Sequence, residues 1–238
     1  MSGSSPSPPL LLLHGALATG AQFDALRPLL AERFTVLPVL DFAGHGATPL
    51  DGEFGVAPFA SQAEAALERS LGDAGAPARI FGYSMGGYVA LALARRRPEL
   101  VARVATLGTK FAWSPESAAR EVAMLDLAKM RGKIPRFAEA LERLHAGIGL
   151  ESLLRHTAAM MQALGAHPTL DAPALAEIAQ PVRVMVGDRD TTVGVEESLA
   201  TVRAPAAGEL EVLPRTPHPL DRTPLARLAF SVIEFLAA

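Results

Sequence analysis

The chain has 238 residues, half of them hydrophobic, and a formal net charge of −3. That length suits one large α/β domain with a substantial core, or at most two small ones, and the mild acidity offers no phosphate-binding surface, so nucleic acid is not an expected partner. The absence of cysteine excludes disulfides, thiolate metal sites and a cysteine nucleophile together.

Residues 2–9 are rich in Ser and Pro and are the one stretch expected to be disordered. The apolar run Leu10-Leu11-Leu12-Leu13 is too short to span a membrane, and no basic segment with a cleavage site precedes it. A cytoplasmic protein without a membrane partner is the expectation. Residues 9–13 read as a buried strand, 22–33 as a helix and 34–40 as a strand rich in β-formers. A helix over 59–71 follows, then a strand over 78–81, a helix over 87–94 and a strand over 100–107. Short apolar runs separated by helices imply a mostly parallel sheet, of about six strands here, covered on both faces. Arg95-Arg96-Arg97 ends a predicted helix, where cations favour the dipole.

Between 111 and 169 the pattern changes. Residues 115–130, 135–146 and 151–164 are all helical in period, with no strand between them. They read as a helical cap, 111–169, inserted into a core made of 1–110 and 170–238. The alternation then resumes with a strand over 181–186, a helix over 195–203, a strand over 209–213 and a last helix over 221–236. There is no internal repeat and no flexible interdomain linker.

The chemistry gathers at the predicted strand ends. Gly82-Tyr83-Ser84-Met85-Gly86 joins a strand to a helix, and a serine there needs small neighbours two residues away on either side. The turn lifts the Ser84 hydroxyl clear of the sheet and leaves the Met85 N–H free at a helix N-terminus, beside any developing oxyanion. After the first strand, Gly15 in Leu13-His14-Gly15-Ala16 lets the backbone pass close to the serine, which makes the Ala16 N–H a second donor. Asp41-Phe42-Ala43-Gly44-His45-Gly46 follows the second strand and is expected to shape a tight loop at the rim.

Gly187-Asp188-Arg189-Asp190 follows the strand over 181–186, at the edge where open α/β sheets hold their sites. Asp190 is favoured as the catalytic carboxylate because it lies beyond the strand end, within reach of a histidine. Asp188 is expected to brace the turn by accepting backbone N–H bonds. His218, stiffened between Pro217 and Pro219, follows the last strand. No other histidine follows Asp190.

The order Ser84, Asp190, His218, each at the end of its own strand, together with His14-Gly15, Gly44-His45-Gly46 and Gly187, resembles the α/β-hydrolase superfamily over essentially the whole chain. The histidine precedes a proline instead of following the family's commoner glycine, and the family's usual N-terminal antiparallel strands have no counterpart before His14. The resemblance implies a serine hydrolase. His218 takes the Ser84 proton as Oγ attacks an ester or thioester carbonyl, Asp190 orients the imidazole, and the Met85 and Ala16 N–H groups bind the oxyanion. Two other readings keep the same fold: a carbon–carbon bond hydrolase or menaquinone-pathway-type synthase using the same triad, and a non-catalytic ligand-binding module.

Tyr83, Phe111, Trp113 and Met160 are the candidate substrate contacts, within a cap whose Met124, Met130 and Met161 add adaptable apolar surface. Lys110 and Arg131 are candidates for a substrate carboxylate, with no visible partner for either. His145, His156 and His167 lack metal-ligand spacing and are expected on the surface or in helix packing. No cofactor or metal is implied. The partner expected is a small-molecule ester or thioester, and the protein is expected to be a monomer or homodimer.

Overall fold

A computed structural model of the chain describes residues 7–72 and 75–238. Among them, β1 (Pro9–Leu13), β2 (Thr35–Val36), β3 (Ala78–Tyr83), β4 (Val101–Leu107), β5 (Val182–Gly187) and β6 (Gly208–Leu213) form one sheet. The order is β2-β1-β3-β4-β5-β6, and every neighbouring pair is parallel. The α-helices are α1 (Arg27–Leu30), α2 (Val56–Leu71), α3 (Met85–Arg96), α4 (Pro115–Val122), α5 (Leu127–Lys133), α6 (Pro135–Leu144), α7 (Leu150–Ala166), α8 (Ala172–Ala176), α9 (Val195–Val202) and α10 (Leu225–Leu236).

β1 shows why the core has two layers. Its side chains alternate across the sheet, so Leu11 and Leu13 enter one hydrophobic layer and Leu10 and Leu12 the other. The first layer is closed by α2, α3 and Val202 of α9, the second by Leu30 of α1 and Leu228, Val232 and Phe235 of α10. All four leucines are at most 8% exposed, and burying each stabilises the fold by about 1.5–3 kcal/mol. The sheet is therefore covered on both faces, as its apolar strands require.

The strand order also sets the place for a ligand. β1 lies between β2 and β3. Its own connection leaves toward β2, while that of β3 leaves the opposite way, toward β4. Such a reversal opens a crevice at the C-terminal edge of the sheet, between the ends of β1 and β3. Gly15 and Ser84 are the residues that emerge there.

Several elements differ from their sequence-based bounds. Of the Ser/Pro-rich start, residues 1–6 lie outside the described part, and Pro9 opens β1. The helix expected over 22–33 is a 3-10 turn at Gly20–Phe23 followed by the short α1, because Pro28 starts a helix and cannot continue one. The strand expected over 34–40 shrinks to Thr35–Val36. The Leu37 N–H still reaches Leu10 O at 2.9 Å, and the pairing with β1 ends there. The helix over 115–130 breaks at Asp126, whose side chain accepts from Lys129 N–H at 2.9 Å and so caps α5. The last helix starts only after Pro224, preceded by a 3-10 turn at Leu220–Arg222. α8 was not expected; Asp171 caps it at 2.9 Å and Pro173 sits in its first turn.

Candidate active site

Ser84 occupies the sharp turn between β3 and α3, with a φ of 51°. This left-handed conformation is uncommon for any residue but glycine and needs support from its surroundings. Ser84 N–H donates to Leu107 O on β4 at 2.8 Å, and Thr109 Oγ donates to Ser84 O at 3.0 Å. The flanking glycines are a packing necessity. A Cβ on Gly82 would stand 2.5 Å from the Gly86 carbonyl, and one on Gly86 would run into Leu13 O.

The loop after β1 passes against this turn. A Cβ on Gly15 would lie 2.8 Å from the Tyr83 ring and 3.4 Å from Ser84 Cβ. Gly15 N–H is held by Gln22 Oε1 at 3.1 Å, a partner without a sequence signal. His14 locks the same loop. Its Nε2 accepts from Phe42 N–H at 3.1 Å, so the proton sits on Nδ1 and is donated to Gly15 O at 2.8 Å. Burial lowers its pKa to about 4, which keeps that neutral tautomer. Among the described residues, neither Ala16 N–H nor Met85 N–H has a protein acceptor.

Asp190 and His218 meet at the ends of β5 and β6. His218 Nδ1 is 2.8 Å from Asp190 Oδ2, while Asp190 Oδ1 accepts from Thr192 N–H at 2.8 Å and Val193 N–H at 2.9 Å. Burial would raise the Asp190 pKa, but the bond and charge of His218 and those two N–H groups hold it below the ordinary carboxylate value. Asp188 turns instead to Thr216 N–H at 3.1 Å and ties the β5 turn to the loop bearing His218. Gly108 (φ +61°) passes beneath the pair: a Cβ there would be 3.2 Å from the His218 ring and 3.3 Å from Asp190 Oδ2. Ser84 Oγ makes no hydrogen bond to His218, whose ring is half-buried; such contacts are often long without substrate and tighten in the complex.

A cavity of about 60 Å³ lies over Ser84, lined also by Ala16, Met85, Gly108, Val56, Tyr88, Trp113, Met160 and Leu164. Trp113 and Met160 are thus beside the serine. Tyr83 and Phe111 do not line the cavity. The Tyr83 hydroxyl donates to His218 O at 2.7 Å, beneath the imidazole, and Phe111 is buried against Tyr88 with ring centroids 5.9 Å apart. Their apolar rings pack better in the core than in an open pocket. Met124 is 76% exposed and Met130 packs among α5–α7. Arg131 is taken by Glu142 at 2.6 Å, and Lys110 has two glutamates near it. His145, expected at the surface or in helix packing, is fully buried and bonds backbone groups of two core loops. Among the described residues no group of three or more His, Asp or Glu is arranged to hold a metal, and no helix is long and apolar enough to cross a membrane.

Known proteins share this arrangement of elements. Over 99% of this chain and 97% of the relative, the sequence is 27% identical to the pimeloyl-acyl-carrier protein methyl ester esterase of Methylococcus capsulatus. A protein of the same name from Aromatoleum aromaticum is 41% identical over 47% of this chain and 42% of its own length. Among solved structures, a malate-bound thermophilic esterase from Thermogutta terrifontis superposes with a TM-score of 0.73 at 25% identity, covering 98% of this chain and 90% of that one. The 2-hydroxy-6-oxo-6-phenylhexa-2,4-dienoate hydrolase of Rhodococcus sp. strain RHA1 gives 0.79 at 23% identity, over 98% and 91%, a likeness of fold alone. The family model described as alpha/beta hydrolase fold matches residues 8–198. With that match, the parallel sheet and the strained serine turn in place, the chain belongs to the α/β-hydrolase fold family.

Proposed function

We propose that the protein hydrolyses small carboxylic esters through an acyl-enzyme on Ser84. The observation that carries this reading is the Asp190–His218 pair at 2.8 Å, at the same sheet edge as a serine held at φ 51° beside two free backbone N–H groups. Relatives named as methyl ester esterases support an ester as substrate.

In this mechanism His218 Nε2 removes the Ser84 Oγ proton as the oxygen adds to the ester carbonyl. Asp190 accepts the Nδ1 proton's hydrogen bond and stabilises the imidazolium that forms. The negative charge that develops on the carbonyl oxygen is bound by the Ala16 and Met85 N–H groups, the latter at the positive end of α3. His218 then gives its proton to the departing alcohol. Water, activated by the same imidazole, releases the acid and regenerates Ser84. Helices α4–α7, between β4 and β5, act as the cap over this site and contribute Trp113 on their approach and Met160 within α7.

The test uses p-nitrophenyl acetate, whose acyl group suits a cavity of about 60 Å³. Wild type is expected to turn it over and to carry an acetyl adduct on Ser84 in a quenched mass spectrum. Ser84→Ala is expected to lose at least about 10³-fold in kcat, retaining at most what binding and the oxyanion donors supply. Equal turnover by Ser84→Ala would remove the serine from the reaction.

A further inference from the structure

Most of the cavity wall over Ser84 is apolar, formed by Val56, Met160, Met161 and Leu164. Lys110, Trp113 and Glu121 interrupt it. The Lys110 side chain is only 13% exposed, and its Nζ stands 3.7 Å from Glu121 Oε1 and 3.7 Å from Glu197 Oε2. Those are ion-pair separations, too long for hydrogen bonds. The Trp113 Nε1–H is buried without an acceptor among the described residues, and Lys110 Nζ lies 5.9 Å from that ring's centroid. Buried donors ordinarily have partners. Here the Lys110 ammonium on the cavity wall has hydrogen-bonding capacity to spare, and so does the buried indole N–H near it.

The two glutamates are not equivalent. Glu197 Oε1 accepts from the N–H groups of Phe111 and Ala112 at 2.6 and 2.7 Å, so this side chain is committed to holding the backbone after β4. Glu121 lines the cavity, and its salt bridge is to Lys110. A carboxylate entering here would meet one cation and two carboxylates, which repel it at low dielectric. A plain alkyl group would cover charged groups and satisfy none of them. A hydroxyl fits both sides: its oxygen accepts from Lys110, and its proton is donated to Glu121.

We infer that this wall is a subsite for a hydroxyl group, which makes the preferred substrate of the Ser84 site a short hydroxyacyl ester. The inference rests on the ester-hydrolase reading and narrows its substrate class. Lys110 and Glu121 line the same cavity as Ser84, so the hydroxyl sits within a few carbons of the ester carbonyl.

The experiment compares kcat/KM for methyl 3-hydroxybutyrate, methyl butyrate and monomethyl succinate on one enzyme preparation, where the ratios do not depend on the fraction folded. Wild type is expected to prefer the hydroxy ester over methyl butyrate by about tenfold or more, the worth of a well-made hydrogen bond in a closed site. In Lys110→Met combined with Glu121→Gln, which removes the cation and the carboxylate it faces together, the ratio is expected to fall to near one. Equal rates on the two neutral esters in wild type, an unchanged ratio in the double variant, or a preference for monomethyl succinate would each overturn the subsite. Turnover of methyl butyrate without discrimination removes this inference alone, whereas no turnover of any ester removes the ester-hydrolase reading with it.

Discussion

Asp190 is gripped on both oxygens: Oδ1 by the N–H groups of Thr192 and Val193, Oδ2 by His218 Nδ1. That division makes Asp190→Asn an informative change. Two backbone donors demand an oxygen, so the amide oxygen of asparagine takes the Oδ1 place and its NH₂ faces His218. The imidazole must then accept at Nδ1 and carry its proton on Nε2, where it cannot receive one from Ser84. With the shape unchanged, kcat on p-nitrophenyl acetate is expected to fall by roughly 10³–10⁴-fold, the cost of the wrong tautomer, with little change in melting temperature. A loss of less than tenfold would mean that Asp190 is not the orienting carboxylate. Asp188, only two residues away, serves as a control residue in the fold, since its oxygen is occupied by Thr216 N–H. The two aspartates stand at different distances from the strand: Asp188 directly follows Gly187, the last residue of β5, and Asp190 lies further along the loop. Gln22, Glu121 and Glu197 were not legible, because each meets its partner across a fold contact that no local spacing encodes.

At the scale of elements, the joint between the inserted helices and the core runs through His145 at the end of α6. Its Nδ1 accepts from Gly46 N–H at 2.9 Å, in the loop after β2, so its Nε2 carries the proton and donates to Leu17 O at 3.0 Å, in the loop after β1. Leu17 itself has a φ of 59°, a conformation that needs such support, and it is the neighbour of Ala16. His145→Ala is expected to leave both backbone groups without partners, at a cost on the order of 1–3 kcal/mol for each. Urea unfolding would report it, and a change below about 0.5 kcal/mol would show that water or a shifted loop replaces the ring. The sequence offered no sign of this joint, because a histidine on an amphipathic helix looks the same whether it meets solvent or a distant loop. What was legible were the elements with strong local signals: the apolar runs of β1, β3, β4 and β5, and the glycine-bounded serine turn. Two of the misread bounds share a cause in Pro28 and Pro224, each of which stops or restarts hydrogen bonding inside a stretch whose hydrophobic pattern continues. Asp126 and Asp171 did the same by capping new helices.

On the scale of the whole molecule, three buried imidazoles form a column that links both loops after β1 and β2 to the inserted helices. His14 and His45 have ring centroids 5.0 Å apart, and His45 and His145 are 5.9 Å apart. Burial lowers the His14 pKa to about 4, with the neighbouring His145 adding to the effect, and lowers that of His45 to about 3, helped by His14. Burial also lowers that of His145. Among the described residues His45 Nε2 has no partner, so a proton there would be both buried and unpaired. Histidines that the fold keeps neutral are protonated more readily in the unfolded chain, near the ordinary value of 6.5. Their stabilising contribution is therefore complete above that pH and is lost as pH falls toward the folded values. Asp190 has the opposite chemistry, and its depressed pKa keeps its contribution intact until the pH drops below the usual 3.8. The window between about 6.5 and 4 thus belongs to the histidines. Each ring approaches a cost of about 1.4 kcal/mol per pH unit once the pH is well below 6.5, so His14 and His45 together lower the unfolding free energy by about 3 kcal/mol between pH 6.5 and 5. Urea titrations at pH 7.5, 6.5, 5.5 and 5.0 would trace this slope, and His45→Gln is expected to reduce it by roughly a third to a half, since His14 and His145 still contribute. A flat profile across that window would mean that the column opens to water and that its rings titrate as free histidines in the folded protein.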